Sequence, residues 1–172
     1  MINNSHLIAF SYSGVNYNFC MANIEKATIT KAAFISDDKL YRYSLTRIWD
    51  ESKTKLLFIL FNPSTADSRK DDPTIRRLIG FAKSWGYGGI YVGNIYAYRS
   101  TDPKEIKKVL NPIGPENMRC LLELTSKVEK VVYAWGNHYQ EPPWLRALVE
   151  QPYCISVSKK RIPKHPLYLR KD

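Results

Sequence analysis

The chain changes its hydrophobic pattern near residue 50. Before that point apolar residues alternate with polar ones, which is typical of strands with one covered face. The alternation predicts a hairpin over residues 8–19 and strands over residues 32–35 and 41–49. The first 50 residues are therefore expected to form a strand-rich, antiparallel N-terminal extension.

Beyond residue 55, continuous apolar runs take the place of the alternation, as expected for strands covered on both faces. Helical patterns that begin at acidic residues or prolines separate these runs. The predicted strands are 56–61, 90–95, 131–135 and 154–157, and the predicted helices begin near residues 72, 102, 115 and 143. Strands alternating with helices indicate a parallel sheet with helices on both faces.

The predicted fold class is therefore α/β. We expect a three-layer α/β/α sandwich around a central four-stranded, mainly parallel sheet, with the N-terminal antiparallel strands added to it. A length of 172 residues fits a single domain, in which residues 55–172 form the α/β core.

Composition excludes several classes of protein. No apolar run approaches the roughly 20 residues of a membrane span, and the N-terminus lacks the pattern of a secretory signal. Cys20, Cys120 and Cys154 are far apart, which argues against a disulfide framework and against a cysteine-ligated metal site. A cytoplasmic protein with free thiols and no membrane contact is expected.

The net charge of +10 suggests a polyanionic partner, because each neutralised phosphate releases condensed counterions. Basic residues concentrate over residues 158–165 and at Arg170 and Lys171. The alternative is a basic surface without a specialised partner. The twelve tyrosines and four tryptophans offer stacking surfaces for bases, although most of them suit the core or the strands.

The first buried run stops abruptly at Asn62-Pro63-Ser64-Thr65. Open α/β sheets place their chemistry at such strand ends. The Asn62 amide can hold a water or a polar ligand edge, or it can cap the backbone of a turn that the proline fixes.

Three acids follow this turn, at Asp67, Asp71 and Asp72. They could bind a metal or activate water. For Asp71 and Asp72 the capping of the next helix is the better explanation, because acids suit a helix N-terminus. Asp67 has less structural reason to be acidic and stays a catalytic candidate.

Two later strands also end in polar residues. Asn94 stands on a strand that is otherwise apolar, so its side chain must bond a loop carbonyl or a ligand such as a base edge. Trp135-Gly136-Asn137 ends the next strand, and Gly136 allows close approach of the backbone. His138, which follows, is the weaker of the two candidate histidines.

The C-terminal segment reads His165-Pro166-Leu167-Tyr168-Leu169. Its histidine can donate a hydrogen bond to a developing oxyanion. Leu169, flanked by basic residues, suits a wedge that enters a base stack. The alternative is a C-terminal strand with a packed leucine.

In this order, the motifs resemble the uracil-DNA glycosylase-like superfamily. The corresponding segments are Leu60-Phe61-Asn62-Pro63-Ser64-Thr65, Val92-Gly93-Asn94, Ala134-Trp135-Gly136 and His165-Pro166-Leu167-Tyr168-Leu169. More closely, residues 41–169 resemble an uncharacterised bacterial and phage family with an RYSLTRIW…NPSTAD…DPT…WGN…HPLYL pattern. The closer resemblance brings no chemistry, whereas the glycosylase resemblance does.

The glycosylase resemblance implies a role for each matched residue. Asn62 would orient the attacking water, with Asp67 as a separate base, because an amide cannot accept a proton at neutral pH. His165 would stabilise the departing base, and Asn94 would read the edge of a flipped pyrimidine. Base binding is thus expected at Phe61, Pro63, Ser64 and Asn94, and DNA contacts at Leu169, which would fill the vacated stack, and at Tyr168, Lys159, Lys160, Lys164 and Arg76.

Ser64 departs from the uracil-specific branch, where a tyrosine after the proline blocks a 5-methyl group. The smaller side chain implies tolerance of substituents at pyrimidine C5. The expected protein is a monomeric, monofunctional DNA glycosylase without metal or cofactor, acting on a C5-modified or damaged pyrimidine in phage defence or base excision. The alternatives are a hydrolase or transferase of free nucleotides, and a non-catalytic nucleic-acid-binding module.

Overall fold

The computed structural model describes residues 29–137 and 139–170, so the hairpin predicted over residues 8–19 and His138 lie outside the described residues. The described chain forms six strands: β1 Thr30–Ile35, β2 Arg42–Ile48, β3 Lys55–Leu60, β4 Gly89–Asn94, β5 Val131–Tyr133 and β6 Tyr153–Cys154. The helices are α1 Pro73–Ser84, α2 Asn117–Thr125 and α3 Pro143–Leu148, with short 3₁₀ helices at Glu105–Lys108 and Pro166–Tyr168. The α/β class is confirmed.

All six strands join one mixed sheet in the order β1-β2-β4-β3-β5-β6. Neighbours among β4, β3, β5 and β6 are parallel, whereas β2 is antiparallel to both β4 and β1. The sheet is thus larger than the four-stranded one predicted. The reason is that β2 pairs directly with β4, from Leu45 opposite Val92 to Ile48 opposite Gly89.

The central strand β3 is covered on both faces, which explains its continuous apolar run. Leu56, Phe58 and Leu60 pack in one cluster with residues of α1. Leu57 and Ile59 pack in a second cluster with residues of α2 and α3. Each fully buried aliphatic or aromatic side chain contributes about 1.5–3 kcal/mol, so this strand anchors both halves of the core.

Helix α1 begins where the capping pattern predicts. The Asp72 carboxylate accepts a hydrogen bond of 2.9 Å from the Ile75 backbone N–H, and Pro73 is the first helical residue. Asp71 does not share this role, contrary to expectation. Its carboxylate instead pairs with the buried Arg47 at 2.7 Å, because that guanidinium reaches across from β2.

The strand order places a crevice in the middle of the sheet. From β3 the chain moves to β4 on one side, and β5 then returns to the other side of β3. Loops that leave the carboxyl ends of β3 and β5 therefore diverge to opposite faces. Ligands of open α/β sheets bind at such a switch point. No helix among residues 29–137 and 139–170 is long and apolar enough to cross a membrane.

Candidate active site at the carboxyl end of the sheet

A cavity of about 490 Å³ lies at this switch point. Its wall comes from the ends of β3 and β5, the start of α1, the loop after β4 and the C-terminal segment. Six of the predicted site residues line it: Phe61, Asn62, Ser64, Lys164, His165 and Tyr168. Positions separated by as much as a hundred residues along the chain are thus brought together by the fold.

Asn62 both holds its turn and faces the cavity. Its amide nitrogen donates to the Pro63 carbonyl at 3.1 Å and to the Ser100 carbonyl at 2.8 Å. Ser100 returns a backbone N–H to the same Pro63 carbonyl at 2.9 Å. Because both amide hydrogens are committed, the Asn62 side chain offers its oxygen to the cavity as an acceptor. The capping and ligand-binding interpretations of Asn62 are therefore compatible.

His165 is half-buried in the cavity wall and directly precedes the short helix Pro166–Tyr168. Burial lowers the pKa of His165, and the nearby Asp72 carboxylate offsets only part of that effect. The ring is therefore neutral at pH 7. Its Nδ1 accepts the Leu167 backbone N–H at 3.4 Å, a long bond that favours the tautomer with the proton on Nε2. His165 can thus donate a hydrogen bond without carrying a charge.

Gly136 holds the histidine segment against the end of β5. Its N–H donates to the Pro163 carbonyl at 3.1 Å, and its φ of +94° is a conformation that side chains rarely adopt. A Cβ added at Gly136 would come within 3.3 Å of the His165 Cβ. The glycine therefore permits both the turn and the close approach of His165.

Asp72, and not Asp67, is the acid that lies at the cavity. Asp67, predicted as the base, does not line the cavity, and its carboxylate accepts backbone N–H groups of Arg69 and Lys70 at 2.7 and 2.8 Å. These two bonds lower the pKa of Asp67, which weakens it as a base. Asp72, for which capping was the better explanation, lines the cavity. The available signal was the position of Asp72, which caps a helix at the end of the loop that follows β3.

Asn94 does not line the cavity. The side chain is fully buried, and neither of its polar atoms has a partner among the described residues. Its register partner on β3, Leu60, lines the cavity instead. The structure therefore does not place Asn94 where it would read the edge of a bound base directly.

In the C-terminal segment, the exposed apolar residues are not the one predicted to be the wedge. Leu169 is half-buried, and its carbonyl accepts a hydrogen bond from Arg77 of α1. Leu167 and Tyr168 are the exposed apolar residues, at 45% and 85% of full exposure. The Tyr168 ring lies at the cavity, 5.7 Å from that of His165. The geometry of a wedge therefore fits Leu167 and Tyr168 better than Leu169.

Of the basic residues predicted to contact DNA, only some lie at the cavity. Lys164 lines the cavity, whereas Lys159, Lys160 and Arg76 are exposed outside it. Arg76 borders a neighbouring groove together with Leu167. Pro63 is buried and fixes the turn without lining the cavity.

Aromatic residues form one wall of the cavity. Phe61 stacks on Tyr139 with 3.7 Å between ring centroids, and Trp135 lies nearby at the end of β5. Sequence reasoning missed Tyr139, which follows the third polar strand end. It also missed Arg42, which lines the cavity at only 1% exposure. A charged residue at the start of an alternating strand was the available signal.

The side chains could hold an organic ligand rather than a metal. Within residues 29–137 and 139–170, no three His, Cys, Asp or Glu side chains come together as a metal site. The cavity combines neutral donors and acceptors, one carboxylate and two basic residues. Such a mixture suits a polar planar ligand with an anionic group.

Comparison with curated proteins and with solved structures gives no match to this chain. A family model described as "Protein of unknown function (DUF1643)" matches residues 42–167. The matched segment contains Arg42, Asn62, Asp72 and His165, and it spans most of the chain. The protein belongs to the DUF1643 family.

Proposed function

We propose that this protein is a monofunctional DNA glycosylase that hydrolyses the N-glycosidic bond of a flipped, C5-modified or damaged pyrimidine. One observation carries the proposal: Asn62, Ser64 and His165, from motifs far apart in sequence, line a single cavity at the switch point of the sheet. A volume of about 490 Å³ is in the range of sites for small organic ligands.

The proposed nucleophile is a water molecule held between Asn62 and Asp72. The Asn62 oxygen would accept one of its hydrogens. One Asp72 oxygen is used by the Ile75 N–H, and the other would accept the second hydrogen and take the proton during attack. Asp72 thus replaces Asp67 as the proposed base, because it lines the cavity and Asp67 does not.

The proposed electrophilic assistance comes from His165. Cleavage leaves negative charge on the departing base, and the Nε2–H of a neutral imidazole would donate to it. A donor aimed at developing charge in a site with little water is worth about 10²–10³ in rate. Burial, which keeps His165 neutral at pH 7, supports this role.

The base would lie against the aromatic wall of Phe61 and Tyr139, close to Ser64. The serine leaves room beside C5 of a pyrimidine that a larger side chain would occupy. The exposed Tyr168 at the cavity and the adjacent exposed Leu167 would fill the vacated stack, which helps to offset the few kcal/mol that base flipping costs. The net charge of +10 supports DNA as the partner.

The proposal includes the finer fold relationship, an α/β sandwich of the uracil-DNA glycosylase-like superfamily. It also includes a monomer acting in the cytoplasm, in defence against phage with modified DNA or in base excision repair. The fold relationship is supported by the order of the motifs along the chain, and the two biological roles by the proposed chemistry.

A panel of DNA duplexes and single strands carrying different modified pyrimidines tests the proposal. The wild type should release free base and leave heat-labile abasic sites. Asn62→Ala should reduce release about 10²-fold or more while keeping DNA binding. Asn111→Ala, in a turn outside the cavity wall where the Asn111 side chain accepts the Gly114 N–H, is the control. Salt-sensitive DNA binding with no release of any base would instead indicate a binding module.

A second candidate is a hydrolase or transferase of free nucleotides. The observation that favours it is Arg42, a buried cation that lines the cavity. Binding of a base alone would not need this cation. Release of base from free nucleotides, but not from DNA, would favour this candidate.

A further inference from the structure

Two arginines on β2 are almost completely buried, and they differ in how their charge is satisfied. Arg47 pairs with Asp71 at 2.7 Å and donates to the backbone carbonyls of Thr46 and Asp67, with longer bonds to Ala32 and Lys70. Arg42, at 1% exposure, donates to one acceptor, the Ala66 carbonyl, at 2.7 Å. The same strand therefore carries one fully bonded arginine and one that is not.

One nitrogen of the Arg42 guanidinium is unsatisfied, and the residue lines the cavity. Its Nε is buried and has no hydrogen-bond partner among the described residues, and no described carboxylate lies within 4.0 Å of the guanidinium. Burial lowers the pKa of Arg42 to about 10, so the group is still charged at neutral pH. A buried cation is strongly destabilising unless it finds acceptors. Since Arg42 lines the cavity, a ligand there can supply them.

The surroundings define which acceptor fits. Lys164 lines the same cavity from the C-terminal segment, and the first turn of α1 contributes Thr74. A guanidinium fork matches the paired oxygens of a phosphate. The positive end of the helix dipole favours the same charge. Asp72 opposes it, but one of its oxygens is bonded to the Ile75 N–H at the helix start. Arg42 and Lys164 outnumber this single carboxylate.

We propose that Arg42 and Lys164 form a phosphate-binding subsite beside the proposed base pocket. The phosphate is either the diester next to a flipped nucleotide or the 5′-phosphate of a free nucleotide. The inference rests on the proposed function for the identity of the nucleotide, but the binding of phosphate itself is measured without any catalysis.

Calorimetric titration of the full chain with thymidine, thymidine 5′-monophosphate and inorganic phosphate tests the subsite. A fourth ligand is a single-stranded oligonucleotide with one methylphosphonate linkage, which removes one phosphate charge. If free nucleotides are the source, the monophosphate should bind at least about tenfold more tightly than thymidine. If DNA is the source, the methylphosphonate at one position should weaken binding by a similar factor.

Variants assign the effect to the two residues. Arg42→Lys keeps the charge but loses the fork, and should remove most of the phosphate preference. Lys164→Gln, on a half-exposed residue, should reduce it severalfold and covers the case in which Arg42→Lys does not fold. The matched controls are Arg47→Lys, a buried arginine on the same strand, and Lys127→Gln, an exposed lysine in the turn after α2. Both controls should retain the preference.

Two results would overturn the subsite. One is equal affinity for thymidine and its monophosphate, together with oligonucleotide binding that no methylphosphonate position weakens. The other is a phosphate preference that survives both Arg42→Lys and Lys164→Gln. Absence of base release from any DNA, with the phosphate preference intact, would count against the glycosylase proposal and not against the subsite.

Discussion

Gly136 lies so close to His165 that a methyl group on Gly136 would sit 3.3 Å from the His165 Cβ. The chain just after β5 and the C-terminal segment therefore pack closely against each other. The proposed hydrogen-bond donor of the site depends on a residue that has no functional group of its own.

Gly136→Ala should therefore impair the site through geometry. The φ of +94° costs about 1–2 kcal/mol for a residue with a Cβ, and the His165 segment must move. Lower thermal stability and at least tenfold slower base release are expected. Gly80→Ala is the control: a Cβ there meets nothing within 4 Å in the interior of α1, so a gain of about 0.5–1 kcal/mol is expected. Full activity of Gly136→Ala would refute the proposed positioning.

Asp72→Asn should separate the capping role from the catalytic role. Asparagine caps helices about as well as aspartate, so the melting temperature should change little. Base release should fall about 10²–10⁴-fold if the carboxylate takes a proton from water. Asp67→Asn keeps an acceptor for the Arg69 and Lys70 N–H groups and should retain activity. The reverse outcome, with only Asp67→Asn inactive, would restore Asp67 as the base.

The pKa of His165 predicts a pH dependence of stability. Burial places the folded-state pKa below the unfolded value of about 6.5, so between the two values the unfolded chain binds more protons. Stability should therefore fall as the pH drops from about 6.5 through the folded-state pKa. In His165→Gln, the free energy of unfolding should depend less on pH within that window, as measured by denaturant unfolding at a series of pH values. Asp67, whose pKa is lowered, changes stability only at more acid pH and should do so equally in the wild type and in His165→Gln. Identical slopes would contradict the assignment.

Ser64→Tyr should narrow the range of bases. A phenol ring at the cavity wall would occupy the space beside pyrimidine C5, and should reduce release of C5-substituted bases relative to uracil by roughly 10- to 200-fold. Ser64→Ala removes only the hydroxyl and should preserve the range. The readout is the ratio of release rates for uracil and a C5-modified pyrimidine. An unchanged ratio in Ser64→Tyr would remove Ser64 from substrate selection.

The sequence predicted the elements that depend on local pattern. The apolar run of β3, the Asp72 cap and the polar ends of β3 and β5 follow from periodicity and capping, and each is found in the structure. The site needed more than that. Asp67 and Asp72 are five residues apart, and only the path of the loop decides which of them reaches the cavity.

Long-range pairing accounts for the remaining differences. Arg42 and Arg47 lie on a strand whose partner, β4, is more than forty residues away, so their burial could not be read from their own neighbourhood. Asn94 was correctly recognised as unusual on an apolar strand. Its position beside Leu60, and its absence from the cavity wall, depend on strand register, which sequence spacing does not define.

The bonding of Arg47 has a practical consequence for the loop after β3. The guanidinium grips that loop by the main-chain oxygens of Asp67 and Lys70 and by the Asp71 carboxylate. Ser68 and Arg69, between these points, project their side chains into solvent. They are therefore suited to carry a cysteine-linked fluorophore that reports ligand entry without altering the cavity wall.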